Sequence, residues 1–169
     1  FDRTVIGNPQ PDFIFGFNNQ FGYKNFDLSI FFQGSYGNDI WNGVRVSHEG
    51  MESTYNQFTS TLNRWNGKGS SNTMPRAIYA DPNRNNRAST RWVEDGSYLR
   101  LKNLTFGYRF TQDWLKKIGA KSLRLYLSFD NLWTLTNYSD LDPEVGLWGL
   151  DYGIYPTSRV YMFGASVKF

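Results

Sequence analysis

His48 is the only histidine in the chain, and there is no cysteine. No disulfide or thiolate chemistry is therefore available, a histidine-rich metal cluster has no second member, and any histidine-based triad would depend on one residue in a long polar stretch. A surface histidine is the simpler reading. "NGKGSS" at 66–71 echoes a phosphate-binding loop, but no apolar strand precedes it and its glycines are wrongly spaced. Asp140, Asp142, Glu144 and Asp151 bring carboxylates into one neighbourhood without the ligand spacing of a calcium loop, so they read as solvated loop residues. No constellation for an enzyme results, and neither a metal nor a cofactor is expected. What stands out instead is aromatic: 14 Phe, 11 Tyr and 6 Trp. Trp41, Trp65, Trp92, Trp148, Tyr152 and Tyr155 fall in loop-like stretches, where exposed rings can stack on sugars or grip peptide, or else pack the loops together.

The elements that carry the remaining aromatics alternate with period two. In "PDFIFGFNNQFGYKNFDLSIFFQGSYG" the odd residues Phe13, Phe15, Phe17, Phe21 and Tyr23 are apolar. After Lys24-Asn25 the parity flips to Phe26, Leu28, Ile30, Phe32 and Tyr36. A two-residue hairpin turn pairs 23 with 26, 21 with 28, 17 with 32 and 13 with 36, which puts both apolar sets on one face. Leu104, Phe106, Tyr108 and Phe110 form a third such strand, Leu123 to Phe129 a fourth, and Tyr161, Phe163, Ala165, Val167 and Phe169 a fifth that runs to the last residue. Between them, "TQDWLKKIG" predicts one or two helical turns capped by Thr111 and stopped by Gly119. Alternation is absent from Gly37 to about Asp95 and again from Thr134 to about Ser158. Within the first of these, Tyr55, Phe58, Leu62 and Trp65 predict a short helix ended by Gly67.

The predicted fold is therefore all-β, with five antiparallel strands. Such strands fit a soluble sandwich with the apolar face inside, for example an aromatic-rich glycan-binding module, or a membrane barrel with that face outward. The membrane reading is favoured. The apolar faces carry no charge and are interrupted only by Asn19 and Gly34, and the opposite faces are mostly small and polar with a few charges. Connections alternate between short (24–25, 111–122) and long (37–95, 134–158), as periplasmic turns and extracellular loops do. Net charge is +3 with Lys and Arg scattered, which offers no stripe for nucleic acid. No apolar run nears the roughly 18 residues of a membrane helix. Five strands cannot close a membrane barrel, so the chain is expected to be a piece of a larger one, with its signal peptide elsewhere.

Three blocks, "DRTVIGNPQPDFIFGFNNQFGYKNFDLSIFFQGSYGNDIWN", "RWVEDGSYLRLKNLTFGYRF" and "NLWTLTNYSDLDPEVG", closely resemble the C-terminal barrel of SusC/RagA-type TonB-dependent transporters. The resemblance covers nearly all of residues 1–169. It implies the last five strands of a 22-stranded barrel in the outer membrane of a Gram-negative bacterium, with the plug and the TonB-contacting segment outside this chain. It further implies a SusD-like surface lipoprotein as partner and import of oligosaccharides or oligopeptides. In that family a terminal aromatic after alternating apolar residues is the outer-membrane assembly signal, which Tyr161, Phe163, Val167 and Phe169 match. Trp41, Trp65, Trp92, Trp148, Tyr152 and Tyr155 become candidates for ligand or lipoprotein contact. Arg109, Arg124 and Asp130, on the lumen-facing side of their strands, become candidates for contact with lumen or plug.

Overall fold

The computed structural model describes residues 3–169, so Phe1, and Asp2 with which the first block above begins, lie outside the described residues. In chain order the elements are β1 (Phe13–Tyr23), β2 (Phe26–Tyr36), β3 (Asp39–Asn42), α1 (Gly43–Glu49), β4 (Val93–Asp95), β5 (Tyr98–Phe110), α2 (Asp113–Lys117), β6 (Ser122–Thr136), β7 (Leu150–Asp151) and β8 (Val160–Lys168). They divide into two compact units. One comprises residues 12–36, 97–137 and 156–169; the other, among the described residues, comprises 3–11, 37–96 and 138–155.

The first unit is a five-stranded antiparallel sheet in the order β1-β2-β5-β6-β8. Its hairpin has the register the parity flip requires: Tyr23 lies opposite Phe26, Phe21 opposite Leu28, Phe17 opposite Phe32 and Phe13 opposite Tyr36. Lys24 takes φ 53°, the sign a primed hairpin turn needs at its first central position. The ladder between β2 and β5 is irregular near Phe31 and Phe32, and that between β5 and β6 between Leu101 and Asn103. These bulges shift parity, so Leu99 and Leu101 join Leu104 to Phe110 on one face, opposite Leu135 and Trp133. Asn131, at φ 52°, takes up the extra chain in β6.

Three expectations are corrected in this unit. The strand β6 continues to Thr136, into the expected loop. Helix α2 has Gln112 rather than Thr111 at its N-cap and no side-chain cap bond, although Gly119 does close the turn at φ 76°. The last ladder residue is Lys168, not Phe169. Phe169 stands one position beyond the strand, its carbonyl oxygen accepting a hydrogen bond from Lys121 Nζ at 3.1 Å.

Where the sequence predicts a long loop holding one short helix, the second unit contains a small sheet in the order β4-β3-β7, in which β3 and β7 run parallel. The helix predicted over Tyr55–Trp65 is a five-residue 3-10 turn, Thr59–Asn63, with open spacing on both sides. The α-helix of this unit is α1 instead. Its sequence, GVRVSHE, is poor in helix formers, and it is held by its surroundings: the Asn42 side chain accepts from Arg45 N at 2.8 Å, and Arg45 pairs with Glu49 one turn on. The core of this unit is small, with Ile40 and Trp92 fully buried.

Candidate functional site

Strand pairing fixes which side chains share each face of the sheet. One face carries the odd residues of β1, the even residues of β2, Leu104, Phe106, Tyr108 and Phe110, Leu123, Leu125, Leu127 and Phe129, and Tyr161, Phe163, Ala165 and Val167. No charged residue stands at any of these positions. The rings make contact along and between strands. Phe13 stacks on Tyr36 at 5.3 Å, Phe26 meets Tyr108 edge-on at 4.6 Å, and Phe129 meets Tyr161 edge-on at 5.8 Å. Yet they stay open to the surroundings, with Phe17 59% and Phe163 69% exposed. Of the sequence-predicted terminal residues, Tyr161, Phe163 and Val167 stand on this face, and Phe169 follows as an exposed ring.

The opposite face is polar and internally bonded. Arg124 on β6 reaches across β5 to Asp27 on β2 in a two-pronged ion pair, Nε to Oδ1 at 2.9 Å and Nη2 to Oδ2 at 2.5 Å. The intervening residue is Gly107, opposite Asp27 on one side and Tyr126 on the other. A side chain there would collide with both partners. Asn103 donates to Asp130 Oδ1 at 2.7 Å and to Ser128 Oγ at 3.1 Å, and Thr105 and Ser128 share a 2.7 Å hydrogen bond. Nearer the long connections, buried Arg100 donates to Thr134 and Thr157 hydroxyls at 3.0 and 2.6 Å. Arg124 and Asp130 are thus both engaged within the sheet, whereas Arg109 is exposed.

In the second unit Glu94 is the hub. It accepts from Arg45 at 2.8 Å, from Asn42 at 3.1 Å, and from both the N–H and the hydroxyl of Ser139 at 2.9 Å. Burial pushes its pKa up, but the hydrogen bonds from Arg45 and Ser139 outweigh burial and hold the carboxyl below the usual carboxylate range. Tyr138 is buried and donates to Asp151 at 2.6 Å; burial, then this bond to a carboxylate, raise its phenol far above the ordinary value. Asp151 also accepts from the N–H groups of Gly153 and Ile154, which fixes the turn after β7.

The candidate loop aromatics separate by exposure. Trp92 has no exposed surface and is flanked by Arg91 at 4.3 Å and Arg45 at 5.9 Å, so it packs the unit internally. Trp41 is half-buried in β3. Trp65 is partly exposed, and Trp148, Tyr152 and Tyr155 are largely open. His48 stacks on Phe58 at 5.0 Å and donates from Nδ1 to the Val44 carbonyl, a packed helix residue rather than a free surface one. Asp142 and Asp151 spend oxygens on local N–H groups, and among the described residues no group of three or more His, Asp or Glu is arranged to hold a metal. The Arg124–Gly107–Asp27 arrangement was missed at the sequence level, since it joins three strands through a residue with no side chain.

No protein-family model matches the chain. Over 99% of its length it is 40% identical to TonB-dependent receptor P3 of Formosa agariphila and 28% identical to TonB-dependent receptor SusC of Bacteroides thetaiotaomicron. A solved structure of the RagAB peptide importer in the closed-closed state superposes on 98% of the chain with a TM-score of 0.85 at 26% identity. The chain is a SusC/RagA-type barrel segment. It spans 17%, 16% and 18% of the lengths of these three proteins. They are receptors and transporters, not enzymes.

Proposed function

We propose that this segment supplies five strands at the C-terminal end of a TonB-dependent importer barrel in the outer membrane of a Gram-negative bacterium. The observation that carries the reading is the exposed, charge-free aromatic face running across all five strands. In water such a face is unfavourable by about 1.5–3 kcal/mol per large apolar side chain left uncovered. Against acyl chains it is the favourable state, and the polar face then lines the lumen. The soluble sandwich requires that face to be covered, and the exposure of Phe17 and Phe163 counts against it.

In this reading β1 and β8, the outer strands of the sheet, pair with strands of the rest of the barrel, because backbone groups cannot stay unpaired in lipid. Residues 37–95 and 134–158 are extracellular, and the turns at 24–25 and 111–122 are periplasmic. Trp148, Tyr152 and Tyr155 contact ligand or a SusD-like lipoprotein, Arg109 contacts the lumen or plug, and the Tyr161–Phe169 pattern serves assembly. TonB acts through a part of the protein outside this chain. Oligosaccharides or oligopeptides are the imported class. Two measurements on intact cells test this: uptake must stop when TonB is removed, and external protease must cut only within the two long segments. Cleavage near Lys116 from outside, or uptake indifferent to TonB, contradicts the reading.

A further inference from the structure

The second unit contains a cavity of about 600 Å3, the size range of small-ligand sites. Its wall includes Trp65, Asn72, Arg76, Asn83, Asn85 and Arg91, two guanidinium groups with no carboxylate in the lining. Arg76 is exposed and makes no ion pair or side-chain hydrogen bond among the described residues. Arg91 is half-buried against Trp92 and reaches the Glu49 carbonyl oxygen at 3.5 Å, the outer limit of a hydrogen bond. The nearby carboxylates are otherwise engaged. Glu49 serves Arg45 and the Ser60 hydroxyl, and Asp81 accepts from Asn85 and from Asn86 N.

Two neighbouring arginines show what is missing. Arg45 suffers burial but gains two carboxylates, and its pKa ends above the ordinary value. Arg91 suffers burial and the repulsion of Arg45, the attraction of Glu49 and Asp81 does not make up the difference, and its pKa ends lower. A partly desolvated guanidinium with incomplete compensation at a cavity wall favours a bound anion.

We propose that this cavity receives an acidic oligosaccharide, with a carboxylate or sulfate group bound by Arg76 and Arg91 and a sugar ring against Trp65. The amides of Asn72 and Asn83 supply the paired donor and acceptor that sugar hydroxyls need. A peptide is less well matched, because residues 65–91 present no strand edge for an added chain to pair with. The assignment rests on the import reading above and deepens it by naming a substrate class.

The test is calorimetric titration of the purified full-length transporter with its lipoprotein. Four probes are used: tetragalacturonate, a chondroitin sulfate tetrasaccharide, maltotetraose and tetraglutamate. Binding of at least one acidic sugar is expected; tetragalacturonate offers carboxylates alone, and the chondroitin sulfate tetrasaccharide offers carboxylates and sulfates together. Maltotetraose and tetraglutamate should bind at least about tenfold more weakly, as loss of one charge-assisted contact predicts. Arg76→Gln should weaken the acidic sugar by about tenfold or more. Because Arg76 is exposed, this variant leaves the loop fold intact even if Arg91→Gln does not. Absence of acidic-sugar binding, preference for the neutral sugar or the peptide, or unchanged affinity in Arg76→Gln overturns the proposal. If TonB-dependent uptake of another substrate persists, only the cavity assignment falls; if uptake never depends on TonB, the import reading itself falls.

Discussion

Gly107→Ala is expected to destabilise the barrel through a contact that a strand residue does not ordinarily make. An ideal Cβ at position 107 lies 2.6 Å from both carboxylate oxygens of Asp27 and 2.7 Å from Arg124 Nη2, below van der Waals contact. The methyl group therefore fits only if the ion pair opens. The pair is two-pronged but partly exposed, 27% at Arg124 and 41% at Asp27, so solvent screening limits its contribution to about 1 kcal/mol. Local overpacking adds about 1 kcal/mol, and the lower chain entropy of Ala in a strand returns about 0.5–1 kcal/mol. The net expected loss is about 1–1.5 kcal/mol. Removing the pair first with Asp27→Ala and Arg124→Ala changes the sign: Gly107→Ala should then be neutral or stabilising by up to about 0.5–1 kcal/mol. The assay is urea unfolding of the full-length transporter in vesicles, followed by heat-modifiable electrophoretic mobility and read as a mutant cycle. Equal costs of Gly107→Ala in the two backgrounds would refute the reasoning, since the methyl group would then be clashing with something other than the pair.

The folded-state pKa of Glu94 is lowered, so its stabilisation is fully present above the unfolded value near 4.3 and is lost as pH falls through the folded value. Hydrogen exchange in β3 and β4 should accelerate below about pH 4 in the native protein, and Glu94→Gln should flatten that dependence. Tyr138 is shifted the other way: its contribution is complete below about pH 10 and is lost only as pH rises beyond that, and Tyr138→Phe should cost about 1–3 kcal/mol by leaving Asp151 Oδ2 without its phenol donor. Phe169→Ala should reduce the amount of full-length protein in the outer membrane while molecules that arrive keep normal heat-modifiable mobility. Full burial of a Phe side chain contributes about 1.5–3 kcal/mol, and this ring is 74% exposed. Normal abundance of Phe169→Ala would return the ring to ordinary packing.

The sheet was legible in the sequence because its information is local. A period of two, a parity flip at Lys24-Asn25 and the absence of charge on one side determine the pairing of Phe17 with Phe32 without reference to anything distant. The bulge that brings Leu99 and Leu101 onto the same face is invisible to strict alternation, because it needs a shift in both strands at once. The loop unit was illegible for a different reason. Tyr55, Phe58, Leu62 and Trp65 have helical spacing, but the segment is exposed along most of its length, leaving little burial to stabilise a helix, and only a 3-10 turn forms. Helix α1 forms from weaker helix formers because Asn42, Glu49 and Glu94 anchor Arg45, two of them from outside the helix. Trp92 looked like its exposed counterparts in composition and differs only in being enclosed.

The central claim is that the aromatic face meets lipid. This chain contributes no native cysteine, so single cysteines can be placed on either face and spin-labelled in the full-length transporter in vesicles. Labels at Phe17, Phe32 and Phe163, all on the aromatic face, are predicted to collide readily with oxygen dissolved in the acyl chains and poorly with a water-soluble nickel chelate. Labels at Asn18 and Ser29, on the polar face of the same hairpin, are predicted to show the reverse. Nickel accessibility at Phe17 and Phe32 equal to or above that at Asn18 and Ser29 would contradict the account.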